Sequence, residues 1–149
     1  MTAIEPRRAR LEDLDAIAAV YRAARDEAMP WLPVLHTAQE ERDWLVRHLE
    51  DPASEIWVVE VGGRVAGYAI LHELFLLHLF VSPGHQRHGA GGALFTHAKA
   101  RMPFGFRWCV FQRNQRARRF YEARGGVTIE LRDEGGEEKL PDAVYEWRP

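Results

Sequence analysis

The sequence predicts one α/β domain built on a mixed, partly parallel sheet, with elements in the order β-α-α-β-β-β-α-β-α-β-β. Short apolar runs of strand length alternate with segments whose apolar residues recur every three to four positions. Leu74 to Val81 is almost wholly apolar, as a central strand buried on both faces would be, and a helix separates it from a second such strand. No repeat, low-complexity tract or Pro/Ser-rich linker divides residues 1–149, so a single domain is expected.

Residues 3–9 read as a short edge strand, the one strand position that tolerates Pro6. Leu11, Leu14, Ile17, Ala18 and Tyr21 recur at helical spacing, and Glu12, Asp13 and Asp15 lie in the first turn, where the helix dipole favours acids. Met29-Pro30-Trp31-Leu32-Pro33 ends that helix. Thr37 with Glu40 three residues on forms a capping box for a second helix, whose apolar face is Trp44, Leu45 and Leu49. Ile56 to Val61 and Val65 to Leu71 form a hairpin around Gly62-Gly63, two residues free to take positive φ. After Ser82-Pro83-Gly84, a third helix starts near Gly89 and runs through Leu94, Phe95, Ala98 and Met102 to Pro103. Phe106 to Phe111 is the next central strand. Asn114 caps a fourth helix with Ala117, Phe120 and Tyr121 on one face and Gly125 as its C′ residue. Residues 127–132 and 143–147 close the fold as an antiparallel pair across Gly135-Gly136.

The composition excludes several classes of function. With 46% hydrophobic and 28% charged residues the chain is a folding one, not a disordered one. A formal charge of −2 gives no general pull toward nucleic acid or an anionic membrane. The N-terminus shows no secretory signal and no run reaches membrane-spanning length, so the expected location is cytoplasmic. The one cysteine, Cys109, rules out an internal disulfide and reads as a buried strand thiol. The seven histidines show no H-x-x-x-H or H-E-x-x-H pattern, so no metal is expected.

The most informative segment is Leu79-Phe80-Val81-Ser82-Pro83-Gly84-His85-Gln86-Arg87-His88-Gly89-Ala90-Gly91-Gly92. An apolar strand enters a Gly-rich turn and then a helix, whose first N–H groups lack partners and sit at the positive end of the dipole. That is a site for a diphosphate. A dinucleotide fingerprint would need a third glycine where Leu94 stands, and the chain has no Gly-Lys-Ser/Thr of a P-loop. What remains, Gln86-x-x-Gly89-x-Gly91, resembles the acyl-CoA signature of the GNAT superfamily of N-acetyltransferases. The segment from Phe111 to Gly125, with Asn114, Ala117 and Tyr121, resembles the family's second signature. Gly125-Gly126-Val127 stands where Gly-Phe is usual.

The resemblance covers essentially the whole chain and implies an acetyl-CoA-dependent transferase acting on a small-molecule or peptide amine. It implies that the pantetheine arm enters between the two central strands against the backbone of Leu79, Phe80 and Val81. The pyrophosphate would rest on Gln86, Arg87, His88, Gly89, Ala90, Gly91 and Gly92. Asn114 would contact the cofactor and Tyr121 would act as general acid. Many relatives carry a glutamate where this chain has Phe75; Glu73, on the same face by alternation, is the candidate base, with His72 and His78 as alternative relays through water. Asp26, Glu27, Trp31 and His36 fall where relatives shape the acceptor pocket, and acidic and aromatic groups suit a cationic amine. Arg113, Arg116, Arg118 and Arg119 either meet the CoA 3′-phosphate or form a solvated helix face. The alternative function is a non-catalytic acyl-CoA sensor; the presence of both Asn114 and Tyr121 favours the enzyme. The acceptor's identity and the oligomeric state, a homodimer among the options, are not legible.

Overall fold

The computed structural model describes residues 4–86 and 88–149. Its seven-stranded sheet has the order β1-β2-β3-β4-β5-β7-β6. The strands are β1 (Arg7–Arg8), β2 (Ser54–Val61), β3 (Arg64–His72), β4 (Phe75–Val81), β5 (Phe106–Phe111), β6 (Val127–Gly135) and β7 (Leu140–Trp147). The helices are α1 (Leu14–Ala28), α2 (Ala38–Glu50), α3 (Ala90–Arg101) and α4 (Gln115–Glu122), in the order the sequence predicts. Neighbouring strands are antiparallel except β4 and β5, which are parallel across α3.

Each face of the sheet buries its own core. On one, Leu94, Phe95 and Ala98 of α3 and Tyr121 of α4 pack on Trp108, Ala143 and Tyr145. On the other, Leu14, Ile17 and Val20 of α1 and Leu45 of α2 pack on Ile56, Val58, Tyr68 and Ile70. Full burial of one such large apolar side chain is worth about 1.5–3 kcal/mol.

The local signals act as expected where they are short-range. Thr37 Oγ1 accepts the Glu40 N–H at 3.1 Å, and Glu40 Oε1 accepts the Thr37 N–H at 2.9 Å. Gly62 and Gly63 take φ of 61° and 78°. Asn114 Oδ1 accepts the Ala117 N–H at 3.2 Å, which opens α4. Gly125 at φ 93° closes it, with Gly125 N–H donating to the Glu122 carbonyl and Gly126 N–H to that of Tyr121.

Longer-range expectations shift. The edge strand shrinks to Arg7–Arg8, and Leu11 lies 58% exposed in a single 3₁₀ turn before α1. Asp13 turns inward instead, accepting two hydrogen bonds from Arg7 at 2.8 and 2.9 Å. The closing pair extends to Gly135 and Leu140, held by the Arg132–Asp142 ion pair. The larger correction concerns β4. Only Leu76 of that strand is almost wholly buried, the other residues are partly covered, and Leu74 is 67% exposed in the turn before it. The cause is a gap in the sheet: β4 and β5 share one register pair, Phe75 with Arg107, and then diverge.

Candidate active site

The divergence opens a cleft of about 220 Å³ between Leu76–Phe80 of β4 and Trp108–Phe111 of β5. Beyond Phe75 the β5-facing backbone of β4 has no strand partner, so its polar groups need another one. Leu79 and Phe80 line the opening; Val81 lies past its end, and its carbonyl accepts a hydrogen bond from Gln86 Nε2 at 3.2 Å.

Two side chains from α4 close the far wall. Asn114 and Tyr121 both line the cleft, seven residues and about two turns apart on one helix face. Tyr121 is 8% exposed and wedged between Phe95 and Trp108, with centroids 5.4 and 5.1 Å away. Burial pushes its phenol well above the ordinary value, so the hydroxyl keeps its proton. Among the described residues it has no hydrogen-bond partner, and it is left to whatever enters.

At the outer end of β4 the chain makes a 3₁₀ turn, Pro83–His85, before α3. Gly89 caps α3 at φ 83°, and the first intrahelical bond there runs from Ala93 N–H to the Gly89 carbonyl at 2.9 Å. The N–H groups of Ala90, Gly91 and Gly92 therefore precede the helical ladder. The glycines differ in purpose. A Cβ on Gly89 would meet nothing within 4 Å, so Gly89 serves the backbone conformation. A Cβ on Gly91 would press on Phe120 at 3.2 Å, so Gly91 lets α3 approach α4. Gln86 and His88 border a cavity of about 440 Å³ beside this turn, together with Glu27 and Arg116. Arg87 falls outside the described residues.

On the opposite face, a β-bulge sets the geometry. Register passes from Ile70 with His78 to Leu71 with Leu76, which leaves Leu77 as an extra residue. His78 then enters a ring cluster: it stacks on Tyr21 at 5.3 Å, lies 4.8 Å from Trp44, and its Nδ1 sits 2.9 Å from the Tyr68 hydroxyl. Burial among these rings lowers its pKa to about 3, so the imidazole is neutral. Tyr21, Leu77, His78 and Glu138 border both the cleft and a larger cavity of about 660 Å³ between α1, α2 and the β6–β7 hairpin.

Several expected residues lie elsewhere. Glu73 is not on the strand: it occupies the β3–β4 turn at φ 56°, its side chain 74% exposed, and it lines none of the three cavities. The turn comes one residue later than alternation implied, because β3 runs on to His72 and β4 begins only at Phe75. Glu27, Trp31 and His36 do not converge. Glu27 pairs with Arg116 at 3.1 Å beside the glycine turn, Trp31 packs edge-on against Phe111, and His36 bridges to Glu137 at 2.6 Å on the larger cavity's rim. Cys109 is exposed rather than buried; it faces the cleft, and Arg132 donates to its sulfur at 3.3 Å. Among the arginines, Arg113 lies over Trp31 at 4.9 Å, Arg116 pairs with Glu27 and Arg118 donates to the Tyr145 hydroxyl at 2.9 Å, which leaves the exposed Arg119 nearest to a solvated role.

The structure also joins residues that spacing kept apart. Ser54 Oγ lies 2.8 Å from Nδ1 of His48 and 2.8 Å from Nδ1 of His72, with Asp51 3.7 Å from His72. The serine hydroxyl occupies both ring nitrogens, so the cluster ties α2 to β2 and β3. The residues that sequence reading left out of the acceptor side, Tyr21, Cys109 and Glu138, come from three separate elements; only the acidic pair Glu137-Glu138 after Gly136 offered a local signal.

No helix of the described residues is long and apolar enough to cross a membrane. Residues 17–126 match the Acetyltransferase (GNAT) family. A peptidyl-lysine N-acetyltransferase of Escherichia coli K12, YiaC, is 33% identical over 104 residues, 69% of this chain and 70% of that protein. Among solved structures, apo YjaB of Escherichia coli superposes with a TM-score of 0.80 at 23% identity over 98% of both chains. The PaiA N-acetyltransferase of Thermoplasma acidophilum, solved with coenzyme A, gives 0.74 at 16% identity over 99% of this chain and 100% of that one. The last two likenesses concern the fold, whereas the family match and the 33% relative reach the sequence itself. The chain belongs to the GNAT family of acetyltransferases.

Proposed function

We propose that the protein transfers an acetyl group from acetyl-CoA to a primary amine, with both held together in one complex. The observation that carries this reading is the β4–β5 cleft. It joins unpaired strand backbone and a buried protonated phenol, and β4 leads on from it to the first turn of α3. Bound acetyl-CoA supplies the acetyl group as an activated thioester.

This chain's residues divide the remaining work. The Gly89–Gly92 turn holds phosphate, with Gln86 and His88 at its side. The backbone of Leu79 and Phe80 holds the pantetheine arm, and a backbone N–H there holds the carbonyl oxygen as negative charge grows on it. Asn114 fixes the start of α4. As the C–N bond forms and the C–S bond breaks, Tyr121 gives its proton to the departing sulfur, and the proton lost by the nitrogen returns through solvent to restore the phenol. A lysine-like amine of pKa about 10.4 must lose a proton first, which costs about 4.6 kcal/mol at neutral pH. Glu73, exposed in the β3–β4 turn, lines neither the cleft nor the larger cavity. The neutral His78 at the inner end of the acceptor cavity can accept a hydrogen bond from the amine without placing a second cation beside it. The relative named for peptidyl-lysine favours an acceptor of this kind.

The test is direct. Acetyl-CoA binding followed by calorimetry, and thiol release followed with a panel of primary amines, should both be positive. Binding without thiol release to any amine would convert the assignment to an acyl-CoA sensor.

A further inference from the structure

The acceptor side is larger than one amine requires. Its cavity of about 660 Å³ lies within the usual range for whole small molecules, roughly 300–1,000 Å³. The rim carries five carboxylates: Glu40, Glu41, Asp43, Glu137 and Glu138. Three are engaged, Glu41 by Arg22 at 2.6 Å, Glu137 by His36 at 2.6 Å, and Glu40 in the helix cap. Asp43 and Glu138 have no cationic partner among the described residues, and Glu138 stands where the cavity meets the cleft. The basic side chains on the walls are Arg25, Arg47 and His36. Arg25 is 4% exposed, with its guanidinium turned to the Tyr21 hydroxyl and the carbonyls of Leu32 and Pro33. Tyr21 and Trp44, both only partly buried, present ring surface, which attracts cations.

Resting on the transfer reading above, we propose that this cavity is a subsite for a second positive charge, so that the preferred acceptor is a dicationic amine. The reacting amine lies at the His78 end, and the acidic rim to which Asp43 and Glu138 contribute holds the other cation. Two sources share this chemistry: a free diamine, and a lysine beside another basic residue in a peptide. A monocationic amine fills only the inner end and leaves Asp43 and Glu138 without a cation from the ligand.

The experiment measures binding and turnover separately. Calorimetry on the full chain saturated with coenzyme A compares 1,4-diaminobutane with butylamine, and an N-terminally acetylated Lys-Lys peptide with its acetylated Lys-Ala counterpart. At low salt each dication should bind at least about tenfold more tightly than its partner. Glu138→Gln and Asp43→Asn should each narrow that gap roughly threefold, and added salt should narrow it further. The arm with the wider gap identifies the source. Equal affinities within both pairs, or a gap unchanged in the double variant, overturn the subsite. Thiol release with acetyl-CoA is read in parallel. A binding gap without any release leaves the subsite standing and removes the transfer reading. Release at equal kcat/KM for mono- and dications keeps transfer and removes the subsite.

Discussion

Tyr68 and His78 face each other across β3 and β4, with the Tyr68 hydroxyl 2.9 Å from Nδ1 of His78. The pair fixes the imidazole plane while burial keeps it neutral, at a pKa of about 3 against 6.5 for a free ring. A histidine whose folded value is depressed stabilises the fold fully above the unfolded value and loses that contribution as pH falls. The window therefore runs from about 6.5 down to about 3. Stability should fall across it with a slope of up to about 1.4 kcal/mol per pH unit from this one group. His78→Gln should flatten that component. Urea midpoints for the two proteins measured across the window check it; curves that stay parallel would assign the acid sensitivity to the carboxylates.

Tyr121 should matter for turnover and not for cofactor affinity. Tyr121→Phe keeps the ring between Phe95 and Trp108 and removes only the oxygen. Loss of a general acid typically costs 10²–10⁴-fold, and a thiolate leaves fairly well unaided, so kcat should drop about a hundredfold. The dissociation constant for acetyl-CoA should barely move. Because burial raises the phenol's pKa, activity should show no loss from Tyr121 ionisation as pH rises past the usual tyrosine value of about 10. Full kcat in the variant with a saturating amine would return the proton to water.

The two signature glycines should separate by readout. Gly89 sits at φ 83° with open space around it, so Gly89→Ala strains the backbone by about 1–2 kcal/mol and disturbs the first N–H groups of α3, which the proposed function assigns to phosphate. Acetyl-CoA affinity should fall about tenfold. Gly91→Val drives a side chain into Phe120 and should cost about 1–3 kcal/mol of stability through overpacking. Thermal melts paired with calorimetry decide. If Gly89→Ala leaves affinity intact in a folded protein, the turn is not the phosphate site.

Glu27 and Arg116 join α1 to α4 at 3.1 Å beside that same turn. Both side chains are well exposed, so the pair contributes only about 0–1 kcal/mol to folding. Its effect on ligand should be larger, since a carboxylate beside a phosphate site repels the ligand and occupies the arginine. Glu27→Gln should tighten coenzyme A binding several-fold and slow its release, while Arg116→Ala weakens binding. Stopped-flow dissociation rates unchanged in both variants would place the pair outside the phosphate field.

What the sequence made legible was local. Thr37 and Glu40, the Gly62-Gly63 turn, Asn114 and Gly125 each act within a few residues, and each holds in the structure. The element order along the chain and the two signatures were readable for the same reason: each is a contiguous pattern. Glu73 was misplaced because alternation counts from an assumed strand start, and β3 runs one residue past Leu71. Cys109 looked buried because its neighbours Trp108 and Val110 are apolar, yet the side of a strand that stays uncovered depends on which elements pack there. The apolar run at 74–81 suggested burial on both faces; an opening between two strands demands the same apolar residues and leaves them half-covered. The acceptor rim could not be assembled from sequence, since α1, α2 and the β6–β7 hairpin meet only after folding.

The single rung between Phe75 and Arg107 divides the sheet mechanically. On one side β1 to β4 form a continuous antiparallel unit, and on the other β5, β7 and β6 form a second. They meet like two leaves of a book joined at one edge of the spine. Anything seated between the leaves bonds to both, so it acts as a missing strand that couples their opening. Amide exchange along β4 and β5 would then slow together on ligand binding, and the two leaves, separable breathing units when empty, would melt as one.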